Sequence, residues 1–153
     1  MGMLMQRCLM LSSQLLLACM AVAANWLLPL EGRQQFAVNI TARGAEVSGI
    51  CIVKTDAEGS RGAIVNEFGI HALDFTLTAD RRRVKLQNVM PLMDHWYIRR
   101  VVRSDLRCLF AATEAGRLKG RRVISVADDG TVTLSNDKYK LKYSLRKIDE
   151  TVE

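Results

Sequence analysis

The sequence predicts a mainly β (α+β) domain: an antiparallel curved sheet or half-open barrel of about eight strands, with one amphipathic helix as its lid. Three observations indicate this class. Short segments alternate apolar and polar residues, short turn-forming links separate them, and one longer stretch has helical periodicity. With 153 residues, 49% of them apolar, the chain is long enough for one buried core and too short for two ordinary domains.

The strand pattern begins at Gln35. The segment FAVNIT places Phe36, Val38 and Ile40 on one face, and VSGICIVK, GAIVN, HALDFTL and RVKLQNV follow, each rich in β-branched or aromatic residues. The links are shorter than the crossover that parallel strands require, so antiparallel neighbours are expected. After the helix, RRVISVA, TVTLS and YKLKYSLRK predict a second meander.

Residues 91–112 predict the helix, with Pro91 in its first turn. The apolar side of the helical wheel consists of Ile98, Val101, Val102, Leu106, Cys108 and Leu109. The opposite side is basic and carries Arg99, Arg100, Arg103 and Arg107, with Trp96 and Phe110 expected near it. Asp105 falls inside the apolar arc, so either the helix breaks near Ser104 or the carboxylate finds a partner.

The N-terminal residues 1–18 have the plan of a secretory signal, because a short segment with one positive charge precedes an apolar run. That run is shorter than the roughly 20 residues of a membrane-spanning helix. The residues Leu16-Leu17-Ala18-Cys19 resemble a bacterial lipoprotein box, in which the cysteine thiolate accepts a diacylglyceryl group. Lipidation of Cys19 is the preferred interpretation.

Two alternatives for the N-terminus remain open. Ala21-Val22-Ala23 fits a plain signal-peptidase site, and an apolar segment extended to Leu30 would be an uncleaved anchor. With lipidation, the predicted organisation is a signal peptide at 1–18, a tether at 19–34, a β domain at 35–148 and a tail at 149–153. Trp26 and the Leu27-Leu28 pair are candidates for docking on the domain.

Catalysis and metal binding have little support in the sequence. His71 and His95 lie outside any recognisable nucleophile or metal-ligand spacing, and Asp56 and Glu58 are two acids in one hairpin without further ligands. We therefore predict no enzyme, no cofactor and no metal. Cys51 and Cys108 could pair in an oxidising compartment, but the preferred interpretation is that both are buried and unpaired.

The turn NEFGI, 66–70, is the most informative short segment. Asn66 and Gly69 tolerate the positive φ of a tight turn and leave Phe68 at its tip, where no cross-strand neighbour covers it. Phe68 is therefore a candidate membrane or ligand contact, together with Trp96. The alternative is that Phe68 folds back on the core.

Alternate strand residues are expected to face the interior, where they would line a cavity for a lipid or acyl chain. They are Ile50, Ile52, Ile64, Leu73, Phe75, Leu77, Val84 and Leu86. The same pattern describes an ordinary packed core, and both interpretations stay open.

The segment SGICIVKTDAEGSRGAIVNEFGIHALDFTLTADRRRVKL resembles the first half of LolB-like outer-membrane lipoproteins, in the order of hairpins and in its Asn-x-apolar-Gly turn. The resemblance covers about fifty residues and implies a half-open barrel whose apolar cavity takes acyl chains, with Phe68 at the position of the protruding apolar residue. The chain is shorter than a typical receptor of that family and has one predicted lid helix.

The resemblance implies a monomeric lipoprotein on the periplasmic face of the outer membrane. Its expected partners are an acyl chain such as palmitate, the membrane through the anchor, and another lipoprotein or carrier. An exported chain would not meet nucleic acid, so lipid headgroups are the expected anions for Arg99, Arg100, Arg103 and Arg107 and for the basic run 81–85. The alternative is an adaptor lipoprotein with a solid core that docks an acidic partner through the arginine face.

The lipidation of Cys19 can be tested by the intact mass of the membrane-extracted protein. We expect a mass equal to the chain from Cys19 plus acyl groups, and loss of those groups in the Cys19→Ser variant, which has no thiolate nucleophile. A mass that begins at Ala24, or that of the full chain, would reject the anchor.

Overall fold

The computed structural model describes residues 25–149. The predicted signal peptide at 1–18, the lipidation site Cys19, the alternative cleavage site and most of the predicted tail lie outside the described residues. The tether is described only from Asn25 onward.

The described chain forms nine antiparallel strands in one curved, unclosed sheet, crossed by one α-helix, and this confirms the predicted fold class. The spatial order of the strands is β5-β4-β3-β2-β1-β9-β8-β7-β6, so two meanders meet where β1 pairs with β9. The strands are β1 Arg33–Ala42, β2 Ala45–Asp56, β3 Gly59–Asn66, β4 His71–Thr78, β5 Val84–Gln87, β6 Gly116–Leu118, β7 Arg122–Val126, β8 Val132–Asn136 and β9 Leu141–Ile148. The helix α1 spans Trp96–Ala111.

Two local predictions need correction. The segment Pro91–Met93 is a separate 3-10 helix rather than the first turn of α1, which begins after His95. Strand β6, in the polar stretch before Arg122, has only three residues and no alternating apolar pattern, so the sequence did not indicate it.

The concave face of the sheet carries the core, and the side of β2 that faces this core is not the one predicted. Cys51 and Val53 are buried, whereas Ile50 and Ile52 lie on the convex face and cannot line the interior. The reason is the pairing with β1, which places Cys51 opposite the buried Phe36 and aligns their side chains on one face.

Helix α1 lies across the concave face and contacts β5 and β8, which lie on either side of the sheet centre. Leu106 and Leu109 are buried against the sheet, and the ring of Phe110 packs 5.3 Å from that of Phe75. The expectation that Phe110 lies near the arginine face is therefore wrong. The helix closes the part of the core that the unclosed sheet would leave exposed.

Asp105 fastens this helix to the second meander. Its side chain is 0% exposed, and its Oδ1 accepts hydrogen bonds from Arg122 Nε at 2.7 Å and from Asn136 Nδ2 at 2.9 Å. Arg122 also donates to the Ser104 hydroxyl, at 3.1 Å. Of the two outcomes expected for Asp105, the structure has the partnered carboxylate in an unbroken helix.

Charge and burial around Asp105 alter the pKa values of its neighbours. Burial opposes the charge of Arg122, but the hydrogen bond and negative charge of Asp105 raise its pKa above the ordinary value. Burial, reinforced by the Asp105 carboxylate, raises the pKa of Tyr143 well above its ordinary value, so this phenol keeps its proton. The helix is therefore held by a buried carboxylate that faces a half-buried, permanently charged guanidinium.

The N-terminal segment docks on the domain, so its described part is not a free tether. Leu28 is buried, and the Leu27 N–H donates to the Ala112 carbonyl at 2.9 Å. Arg81 donates to the carbonyls of Leu28, at 2.7 Å, and Phe110, at 2.8 Å, and its guanidinium lies 3.9 Å from the Trp26 ring. Burial lowers the pKa of Arg81 to about 10. The folded domain thus includes Trp26–Leu30, which precede the predicted start at Gln35.

Replacing Asp105 with alanine is expected to lower the free energy of unfolding by about 3–5 kcal/mol, because the half-buried Arg122 and the buried Asn136 would lose the carboxylate that accepts their hydrogen bonds. Urea denaturation measures the change. The matched control is Asp94→Ala, which removes the carboxylate of the exposed pair with Arg99, 3.2 Å away, and should cost less than about 1 kcal/mol. Equal costs for the two variants would contradict the structural role of Asp105.

Candidate functional site

An apolar groove of about 240 Å³ opens at the end of the sheet that carries the turn between β3 and β4. Its floor is the concave face of β1 to β4, beyond the area that α1 covers, and the segment around the 3-10 helix forms one side. The lining residues are Val38, Ile40, Val47, Ser48, Gly49, Ile64, Val65, Asn66, Ile70, Ala72, Leu73, Met90, Leu92 and Met93. Ser48 and Asn66 are the two lining residues with polar side chains.

Gly49 shapes the floor of this groove. A Cβ atom at this position would overlap the Val65 carbonyl oxygen, which no side chain tolerates. The close approach coincides with a register shift between Ile64 and Val65, where β3 bends. A glycine here therefore permits the bend and leaves the floor without a side chain.

The methionines of the groove come from the segment between β5 and α1. Met90 and Met93 line the groove, and the Met90 N–H donates to the Ala72 carbonyl at 2.8 Å, which holds the segment against β4. Methionine is unbranched and flexible, so its side chain adapts to apolar ligands of different shape. Leu92 lies at the mouth and is largely exposed.

Phe68 protrudes from the turn beside the groove mouth, with 79% of its surface exposed. The Asn66 Oδ1 accepts from the N–H groups of Phe68, at 3.0 Å, and Ile70, at 2.8 Å, and Gly69 takes a positive φ of 77°. These bonds close the turn and direct Phe68 away from the core. Of the two sequence interpretations of Phe68, the structure therefore has the exposed one.

Trp96 is 75% exposed at the start of α1, three residues after the groove residue Met93. Its ring contacts that of Tyr97 edge to face, at 5.8 Å. Phe68, Ile70, Leu92 and Trp96 are all exposed at this end of the molecule, and several exposed large apolar side chains at one place are more informative than single ones scattered over a surface.

The eight residues expected to line a cavity separate into three sets. Ile64 and Leu73 line the groove, and Ile50 and Ile52 lie on the opposite face. The remaining four are buried in the core: Phe75, Leu77, Val84 and Leu86. The interior is thus filled beneath α1 and open at one end. Sequence reasoning missed the groove residues after β5, because the helix prediction for 91–112 included Leu92 and Met93 and no predicted element contained Met90.

The arginines of α1 are mostly exposed. Arg100, Arg103 and Arg107 are exposed, while Arg99 is half-buried and pairs with Asp94. Arg81 of the basic run 81–85 does not join this face, because it is buried at the C-terminal end of α1, where it donates to the Phe110 carbonyl.

The remaining titratable candidates do not form a site. His71 Nε2 lies 2.6 Å from Asp74 Oδ1. Burial raises the pKa of Asp74, but hydrogen bonds with Asn88 and His71 outweigh it, so the pKa of this carboxyl lies below its ordinary value. His95 precedes α1 and stacks on Tyr97. Within residues 25–149, no group of three or more His, Cys, Asp or Glu residues is arranged to hold a metal ion.

The two cysteines of the described chain are free, as expected. Cys51 is buried, and desolvation raises the pKa of its thiol to about 12. Cys108 is half-buried in α1 rather than fully buried. Neither thiol is presented as a nucleophile in the groove.

The chain matches no model of a known protein family, and no curated protein is significantly similar to it in sequence. None of the helices between residues 25 and 149 combines the length and apolarity that crossing a membrane requires.

Replacing Phe68 with alanine is expected to change the free energy of unfolding by no more than about 0.5 kcal/mol, because its ring has no core contacts to lose. Asn66→Ala should cost about 1–2 kcal/mol, since it removes two hydrogen bonds of the turn. Thermal or urea unfolding of both variants checks this. A loss of about 3–5 kcal/mol for Phe68→Ala, as for a core aromatic residue, would mean that the ring packs on the domain.

Proposed function

We propose that this protein is a membrane-anchored LolB-like lipoprotein that binds an acyl chain in its groove and acts without catalysis in lipid or lipoprotein handling. The observation that carries the proposal is the apolar groove with exposed apolar residues at its mouth. Pockets for small molecules are mostly apolar and have volumes of roughly 300–1,000 Å³. At about 240 Å³ the groove is suited to part of one chain, with the remainder against the mouth.

The chemistry of the lining supports an acyl ligand. Each methylene transferred from water to an apolar site contributes about 0.8 kcal/mol, and the groove offers few polar groups that would favour another ligand. Phe68 and Leu92 extend the apolar surface outward from the mouth, where they would contact the part of a chain that the groove leaves uncovered. The chain would enter at this end, from a carrier or from another lipoprotein.

A lipid anchor on Cys19 is proposed together with this function, as is a location on the periplasmic face of the outer membrane. Its support is the lipoprotein box and the apolar run before it. Two or more acyl chains hold a protein stably on a membrane, so the anchored domain would stay at the membrane surface.

The second candidate function is an adaptor that docks an acidic partner through α1. Arg100, Arg103 and Arg107 follow the helical spacing of three and four residues, so they form one exposed stripe. This function requires no ligand in the groove, and a binding experiment separates the two candidates.

The groove can be tested with a fluorescent fatty-acid probe and palmitate as its competitor. Val47→Phe narrows the groove and should weaken binding of the probe about tenfold. This is the affinity lost when about two methylene groups of the ligand no longer fit in the groove. The matched control is Ile50→Phe, because Ile50 is on the same strand and is similarly exposed, 42% against 50% for Val47, but faces the convex side. Residues 1–24 are identical in both variants, so their own affinity for the probe cannot produce the difference.

Equal affinities for the two variants would contradict binding in the groove. If the unaltered chain does not bind the probe, the result would favour the adaptor function.

A further inference from the structure

A row of cations crosses the convex face at a single register. Strand pairing places Lys54 opposite Arg61, Arg61 opposite Thr76, and Thr76 opposite Lys85. The four residues therefore stand side by side on β2 to β5, and we call them the cationic row. Its three charged members are exposed, and Val53, which precedes Lys54, faces the core.

The row is electrostatically unfavourable by itself. Like charges directly opposite each other on neighbouring strands destabilise a sheet, and Lys54 and Arg61 are such a pair. Within residues 25–149, no carboxylate forms an ion pair with Lys54, Arg61 or Lys85. An anion from outside these residues would relieve this repulsion.

A depression of about 500 Å³ adjoins the row. Arg61, Lys85 and Arg83 line it together with Thr76, which supplies a hydroxyl group. Guanidinium, ammonium and hydroxyl groups are the donors that phosphate oxygens accept. Two carboxylates, Asp56 and Glu58, also line the depression, but the Asp56 Oδ1 accepts the Glu58 N–H within their turn, at 2.8 Å.

The row lies at the end of the sheet where the described chain begins. Trp26 stacks on Arg81, in the turn that leads into β5. Only five residues lie between Cys19 and Asn25, and the six residue-to-residue steps that join them reach at most about 20 Å in an extended chain. Strand β3 has eight residues and separates this end from the groove mouth by roughly 26 Å.

We propose that the cationic row binds anionic phospholipid headgroups of the membrane that holds the anchor. This inference rests on the proposed lipidation of Cys19, because the short connection brings this end of the domain to that membrane. The groove mouth then faces away from the anchoring surface, about one strand length from it, and is open to an incoming carrier. The same connection favours a membrane over nucleic acid or an acidic protein as the source of the anion.

Lysine footprinting tests the row in the complete, membrane-extracted protein. The protein is reconstituted in vesicles of phosphatidylcholine, with or without phosphatidylglycerol, and treated with an amine-acetylating reagent, and mass spectrometry reads each lysine. We expect acetylation of Lys54 and Lys85 to fall about fivefold when phosphatidylglycerol is present. Each basic residue near an anionic membrane surface strengthens binding to it by about that factor. Lys138 and Lys140, in the turn before β9 at the opposite end, are internal controls and should not change.

Charge variants and salt sharpen the test. Arg61→Gln should remove most of the protection of its neighbour Lys54, whereas Arg103→Gln, which removes one exposed charge from α1, should leave it intact. Raising the salt to about 1 M, where the Debye length is about 3 Å, should abolish the protection. Equal acetylation in both vesicles would overturn the proposal, and so would protection by short duplex DNA without protection by phosphatidylglycerol.

The row and the anchor can fail separately. If the mass of the extracted protein shows that no acyl groups are attached, the proposed anchor is rejected. The unmodified chain can then be added to the same vesicles, and its acetylation still decides whether Lys54 and Lys85 are protected. If the acyl groups are present and the lysines are not protected, only the row is overturned.

Discussion

The ion pair between Asp105 and Arg122 is the interaction on which the domain depends most. A nine-stranded sheet that does not close leaves its concave face exposed, and a single helix must cover it. The apolar side of α1 supplies the burial, but apolar contacts alone do not define where a helix lies along a curved sheet. Asp105 defines this position, because a carboxylate with no exposed surface is tolerated only beside the hydrogen-bond donors of Arg122 and Asn136.

Fixing the helix also divides the interior. Beneath α1 the core is filled by aromatic and branched side chains, with Phe75 against Phe110. Beyond it, the same strands continue without a covering helix, and only the segment that includes Met90 and Met93 approaches them. The groove is therefore a result of where the lid ends, and the strands that form the floor need no special sequence apart from Gly49.

Most of the fold followed from local patterns, whereas the errors arose where those patterns are ambiguous. The period of two located eight of the nine strands, and only β6, with three residues, was missed. In β2 both faces are apolar, so periodicity could not decide between Ile50 and Cys51 as the inward residue, and pairing with Phe36 decided it. Arg81 looked like part of a solvated basic run, because nothing near it in sequence indicates the carbonyls of Leu28 and Phe110.

The candidate site was predicted only in part, because some of its features depend on local residues and others on contacts between distant segments. The turn chemistry of Asn66 and Gly69 is local, so an exposed Phe68 could be inferred from five residues. The groove depends on where a helix ends and on a bend in β3, and both are set by contacts between distant segments. The cationic row is a product of register across four strands, since its members are separated in sequence by up to 31 positions, from Lys54 to Lys85.

The central position of β1 against β9 has a consequence for chains that are cut short. The first and last described strands pair in the middle of the sheet, so a chain that stops before Leu141 has two meanders that no strand pairing joins, with the ten residues of β1 and the five of β8 as open edges. Open edges of this kind recruit strands from other molecules and are exposed to proteases. The sheet can thus be completed only after Leu141–Ile148 have been synthesised, and chains that lack this strand are left in a state that degradation or aggregation removes.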